Sequence, residues 1–64
     1  MATNVRLRTA RVSKGLTQLE LAERVGMKEI EISRIETGRA QPSKETKERI
    51  AAILQKNIFE LFDC

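Results

Sequence analysis

The apolar residues of this chain come in short groups at helical spacing, each closed by a turn signal. Leu7 and Ala10, with Arg11, share one side of a segment running roughly from Asn4 to Ser13, and Gly15 stands where that helix would stop. Thr17-Gln18-Leu19-Glu20 then has the T-x-x-E spacing of a capping box. In that motif the hydroxyl accepts the glutamate amide and the carboxylate accepts the threonine amide. The helix it opens carries Leu21, Ala22 and Val25 as its inward stripe, and Gly26 follows where a left-handed residue commonly ends a helix. Ser43, after Pro42, can cap a fourth helix with Glu45 in its first turn. The stripe of that helix is Ile50, Ile53 and Leu54, with Thr46 a turn earlier and Ala51 alongside. Asn57, with Glu60 three residues on, repeats the capping logic for a last short helix in which Ile58, Leu61 and Phe62 face inward and Phe59 outward.

The third segment is ambiguous. Glu29-Ile30-Glu31-Ile32 alternates acid with branched apolar, the period of a half-buried strand. A strand needs a partner, and strand formers are sparse in the rest of the chain. Extended to Glu36, the segment sets Met27, Ile32 and Ile35 on one helical side, with Gly38 as terminator and Ile30 off that stripe. It reads as a helix whose β-propensity is overridden by context. Five short helices make the chain all-α.

Length fits one domain, residues 1–64, of the size that buries only about 60% of its unfolded surface. Within this length no effector, protease or catalytic domain is expected. Apolar residues make up 41% of the chain and charged residues 33%, ordinary for a soluble globule. No stretch approaches the ~20 apolar residues of a membrane span, and the first residues lack an apolar signal core. The single Cys64 cannot form an internal disulfide, so the expected compartment is a reducing cytoplasm, with Cys64 an idle thiol.

Net charge is +3, unevenly distributed. Residues 1–16 carry Arg6, Arg8, Arg11 and Lys14 and no acid. Residues 17–38 set Arg24, Lys28 and Arg34 against five glutamates, and residues 39–49 turn basic again through Arg39, Lys44, Lys47 and Arg49. Two basic segments flanking a mixed centre can make a phosphate-facing surface if the fold brings them together; taken alone, the net charge fits a solvated surface as well. An enzyme is disfavoured: there is no His, no metal-ligand cluster, and no nucleophile with a neighbouring base, so neither catalytic residues, metal nor cofactor are expected.

Two helices joined through Gly26, with the small Ala22 a turn before it, suggest a helix-turn-helix. With Gly15-Leu16-Thr17-Gln18, Glu20-Leu21-Ala22, Gly26, Ile32-Ser33, Arg34-Ile35-Glu36, Gly38 and Pro42-Ser43 in place, the chain resembles the phage-repressor/Cro-like (Xre) family of DNA-binding domains. Residues 57–62 look like the family's closing helix, so the resemblance covers nearly the whole chain. It implies a compact five-helix, lambda-repressor-like domain whose second and third helices form the helix-turn-helix. The third, about residues 28–36, would enter the major groove. By the same resemblance Lys28, Glu29, Ile30, Ser33 and Arg34 match base-facing positions. Gln18, Arg39 and Lys44 match phosphate-facing ones, and Arg11 and Glu36 match a structural ion pair between the first and third helices. Ile58, Phe59 and Phe62 fall where many relatives dimerise.

Elementary chemistry bears on these positions. A groove ~12 Å wide admits one helix, Arg34 can donate twice to a guanine, Glu29 can accept from a cytosine amino group, and Ile30 suits a thymine methyl. Each has a plainer alternative. Glu29 and Glu31 can simply face the helix dipole. Arg34, Arg6, Arg8 and Lys44 can be solvated charges, Gln18 a polar first-turn residue, and Ile30 or Phe59 a protein contact. The sequence also departs from the family pattern. Lys28 stands where relatives often have a Ser or Thr cap, Lys47 where an apolar residue is frequent, and Gln55 where Gly is frequent after the fourth helix. These put the exit from that helix, and the dimer mode, in question.

The expected function is that of a small cytoplasmic regulator, Cro-like, restriction-controller or antitoxin-type, bound to a palindromic double-stranded operator as a homodimer, with an interface small enough that the dimer can depend on DNA to form. No membrane or small-molecule ligand is expected. The alternative is a protein-interaction module that keeps the fold and has changed its surface.

Overall fold

A computed structural model describes residues 3–62, so Cys64 lies outside the described residues. Five helices follow in order: α1 Val5–Ser13, α2 Gln18–Val25, α3 Glu29–Glu36, α4 Lys44–Leu54 and α5 Ile58–Leu61. The Glu-Ile alternation is helical. None of these helices is long and apolar enough to cross a membrane.

Side-chain caps set most of the helix starts. Asn4 precedes α1 as its cap rather than opening it, and its Oδ1 accepts the Leu7 amide at 3.0 Å. Thr17 and Glu20 form the complete capping box, with bonds of 3.0 and 2.9 Å, and Ser43 accepts the Thr46 amide at 3.2 Å. At α3 the cap position is Lys28, whose ammonium has no lone pair to offer, so capping is one-sided: Glu31 Oε1 accepts the Lys28 amide at 3.0 Å. The last helix works the same way. The Asn57 side chain makes no cap bond, contrary to expectation, and Glu60 Oε2 accepts the Asn57 amide at 2.6 Å.

Helix ends fall at the turn signals. Gly26, in the left-handed region at φ 85°, returns its amide to Ala22 at 2.9 Å, and Met27 bonds the same carbonyl at 2.8 Å. This is the tight exit that lets α3 fold back across α2. After α4 the left-handed position is held by Gln55, φ 57°, despite its side chain. The exit questioned from the sequence therefore keeps the geometry a glycine would take. Lys14 Nζ, from the end of α1, donates to Gln55 Oε1.

The inward stripes meet in one core: Leu7, Ala10, Leu21, Ala22, Val25, Ile32, Ile35, Ile50, Ala51, Leu54, Leu61 and Phe62, with Leu16 added from the loop before α2. Ile53, expected in the α4 stripe, is only half-buried. Lys47 is half-buried at its position, with its ammonium over the Phe62 ring, 5.6 Å from the centroid. Asn4 joins the two ends of the fold, donating from Nδ2 to the Leu61 carbonyl at 2.9 Å and from its amide to the Glu36 carbonyl at 2.7 Å.

Candidate nucleic-acid interface

Besides Ile32 and Ile35 in the core, a polar network positions α3. Arg11 is 8% exposed and Glu36 is 2% exposed, both inside an otherwise apolar core. Arg11 Nε donates to Glu36 Oε2 at 2.6 Å and its Nη2 to Oε1 at 3.3 Å, a two-point pairing. A third donor, Nη1, reaches the Leu16 carbonyl at 2.6 Å, and Gln18 Nε2 donates to Glu36 Oε1 at 3.1 Å. The ion pair read between α1 and α3 is thus a four-member network that also takes in α2 and the loop before it. No side-chain nitrogen or oxygen among the described residues is left buried and unpartnered.

With Ile32, Ile35 and Glu36 fixed inward, the 100° advance per residue settles the rest of α3. Ile30 and Arg34 lie one turn apart opposite the buried side. Glu29 and Ser33 fall on the flank toward Glu36, and Glu31 on the other flank. Ile30 is 53% exposed, and Arg34 is exposed with no ion pair among the described residues. Glu29 and Lys28 are exposed as well, while Ser33 is half-buried. Glu31 has structural work as the acceptor at the start of α3, which agrees with its plainer reading. A groove runs along the Glu31 and Arg34 side, walled by Ala40, Gln41 and Ser43 of the loop that follows.

The candidate phosphate contacts separate into two kinds. Arg39 opens that loop with an exposed side chain while its amide donates to the Arg34 carbonyl at 2.8 Å, and Lys44 is the exposed first residue of α4. Gln18 differs. It is half-buried, and its amide nitrogen is committed to Glu36, so its side chain braces the ion pair. Its main-chain N–H stands in the first turn of α2, where helix amides lack intrahelical acceptors. In the same turn, bonds from the Thr17 amide and hydroxyl hold the Glu20 carboxyl below the usual carboxylate range, with a smaller contribution from Arg24.

The supposed dimer residues also divide. Phe59 is 70% exposed, and Ile58 is half-buried beside an apolar groove shared with Lys44, Lys47 and Glu48. Phe62 does not belong with them: at 6% exposed it is a core residue, because α5 turns Leu61 and the following ring inward together. The sequence reading missed Leu16 in the core. The available signal was its place just before the Thr17 cap with Leu21 four helical positions later, the spacing of a hydrophobic staple.

Comparison with known proteins agrees with this geometry. A family model described as helix-turn-helix matches residues 7–61. No curated protein matches the chain in sequence. Among solved structures, the restriction-modification controller protein C.AhdI from Aeromonas hydrophila is 32% identical, with a TM-score of 0.85 over 92% of this chain and 86% of that one. PlcR of Bacillus thuringiensis, solved in complex with the peptide PapR7 and DNA, is 37% identical with a TM-score of 0.81. That match covers 94% of this chain and 22% of PlcR. With the family model spanning the core from Leu7 to Leu61, and C.AhdI similar over most of both chains, the chain belongs to the Xre/Cro-like helix-turn-helix family of DNA-binding transcription regulators.

Proposed function

We propose that this protein is a small sequence-specific regulator that binds a palindromic operator as a homodimer, with α3 in the major groove of each half-site. The observation that carries the proposal is the outward face of α3. It holds a guanine-type donor in Arg34, an acceptor in Glu29 and an apolar contact in Ile30, all free of the bonds that hold the fold together. Lys28 and Ser33 complete the base-facing set. Arg39, Lys44 and the main-chain amide of Gln18 at the start of α2 supply phosphate contacts, which position the helix and make affinity salt-dependent.

The homodimer is proposed through Phe59 and Ile58, where an exposed ring sits beside an apolar groove. A two-fold there sets the two α3 helices about one DNA turn (~34 Å) apart. So small a seam suits a dimer completed by the operator. Regulation is by protein concentration and operator occupancy in the cytoplasm, as the likeness to a restriction-modification controller supports.

The test is selection from sheared genomic DNA at near-physiological salt, followed by sequencing of what the protein retains. Enrichment of inverted repeats is expected. Arg34→Ala should weaken binding to the retained sites by ~10–100-fold, the value of a good base contact, with circular dichroism unchanged. If nothing is enriched and only weak salt-sensitive retention remains, the operator reading is wrong, and a protein-interaction surface at Ile30 and Phe59 replaces it.

A further inference from the structure

We infer that Ile30 and Arg34 act as one reading unit for a pyrimidine carrying a 5-methyl group near a guanine, so that binding responds to methylation of cytosine at C5. The inference rests on the operator reading above and specifies what the centre of the α3 face recognises. Ile30 and Arg34 are four residues apart, so they stand one above the other, about 6 Å along the axis, at the point of α3 farthest from the core. Arg34 offers the paired donors that match guanine O6 and N7. Ile30 has no hydrogen-bonding atom, so it can distinguish bases only through apolar contact. In the major groove the apolar feature is the pyrimidine 5-methyl.

The surroundings of Ile30 argue against a different use. Its outward neighbours are Glu29, Glu31, Ser33 and Arg34, all polar, and the groove on the Glu31 side does not include it. The other exposed large apolar residues, Val5, Val12, Leu19 and Phe59, belong to other helices. A lone branched side chain in a polar face is too little area for a docking patch, which needs a contiguous few hundred Å2. It is the right size to cover one methyl group. Thymine and 5-methylcytosine place that methyl at the same ring carbon, whereas cytosine and uracil lack it. Chemistry that favours thymine at this position therefore also separates methylated from unmethylated cytosine.

The experiment uses the full chain and the duplex recovered by selection, measured by equilibrium binding. Each thymine is replaced singly by deoxyuridine, which removes only the methyl. At the position where this costs affinity, the T·A pair is then replaced by C·G and by 5-methyl-C·G. The expected result is one thymine per half-site whose methyl is worth about fourfold in affinity, the value of one buried CH2-sized group. The 5-methyl-C·G duplex should bind about fourfold more tightly than C·G. Ile30→Ala should erase both preferences with helicity unchanged, and Ile30→Val should retain part of them. A duplex that is selected and bound but insensitive to every uracil substitution, or that has no thymine in the half-site, overturns the inference and leaves the operator reading standing. Preferences that persist in Ile30→Ala overturn it too. If no duplex is selected, the operator reading fails first and takes the inference with it.

Discussion

Replacing Arg11 with Met tests the account of how α3 is held. The substitution keeps an apolar stem of similar length and removes all three donated bonds, two to Glu36 and one to the Leu16 carbonyl. Glu36 keeps one bond, from Gln18 at 3.1 Å, and has almost no contact with water. Removing one partner of a buried pair in this way costs ~3–5 kcal/mol. A 64-residue domain has a total stability of roughly 3–10 kcal/mol, so Arg11→Met should lose a large fraction of it and unfold at a markedly lower urea concentration than the wild type. Replacing both partners, Arg11→Met with Glu36→Leu, removes the stranded charge, and apolar substitutes of similar volume are often neutral or better. Gln18, already half-exposed, can turn its amide to water, which leaves the Leu16 carbonyl as the main loss, about 1 kcal/mol. The double variant should therefore be more stable than the single by about 2 kcal/mol or more. Urea titrations followed by far-ultraviolet circular dichroism measure all three proteins, with slopes compared so that midpoints translate into free energy. The reasoning fails if the single variant costs less than about 1 kcal/mol, or if the double falls as far as the single.

Gln55→Gly should raise stability by about 1 kcal/mol, because φ 57° strains any residue with a Cβ; in a domain this size that is a melting temperature higher by ~4–8 °C, and an unchanged melt would count against it. Gly26→Ala should move the other way by about the same amount, with no clash involved, since a Cβ there meets open space and only φ 85° opposes it. The Glu20 carboxyl titrates below its ordinary range, so its stabilising bond to Thr17 is fully present above about pH 4.3 and is lost as pH falls through the lower folded value. The urea-midpoint advantage of the wild type over Glu20→Gln should accordingly shrink on acidification, and a gap that widened would reverse the sign of the argument. Arg39→Ala should weaken DNA binding evenly across sequences and lower the slope of log affinity against log salt by about one per protomer, a loss that a base contact would not distribute evenly.

Most of the fold was legible because local signals and the apolar stripes agree. Thr17, Ser43, Gly26 and the Leu21-Ala22-Val25 stripe each point to the boundaries that α2 and α4 actually have. The Glu-Ile alternation misleads only over four residues; Ile35 and Gly38 extend the window far enough for helical spacing to prevail. Less legible was whatever depends on direction rather than spacing. Phe62 and Ile58 look alike as inward residues of α5, yet only the packed structure shows that the ring at 62 lies in the core under Lys47 while the side chain at 58 borders a groove. The same holds for Gln18. Its place at the start of α2 is plain in sequence, but its commitment to Glu36 depends on where α3 crosses, which no local pattern encodes. The outward face of α3 was readable by subtraction, since identifying Ile32 and Ile35 as inward leaves Ile30 and Arg34 outside.

Asn4 and Leu61 are 57 positions apart, yet one side-chain amide joins them. Closing so long a loop is entropically dear, whereas α2 and α3 are neighbours in sequence and touch at once. Assembly should therefore begin in the middle of the chain and finish at its two margins. Opening should run in reverse, with the four-residue α5 leaving first and carrying Phe59 with it. On that order, in the proposed homodimer a second copy seated against Phe59 would act as a latch on the last step of folding and would slow the first step of coming apart.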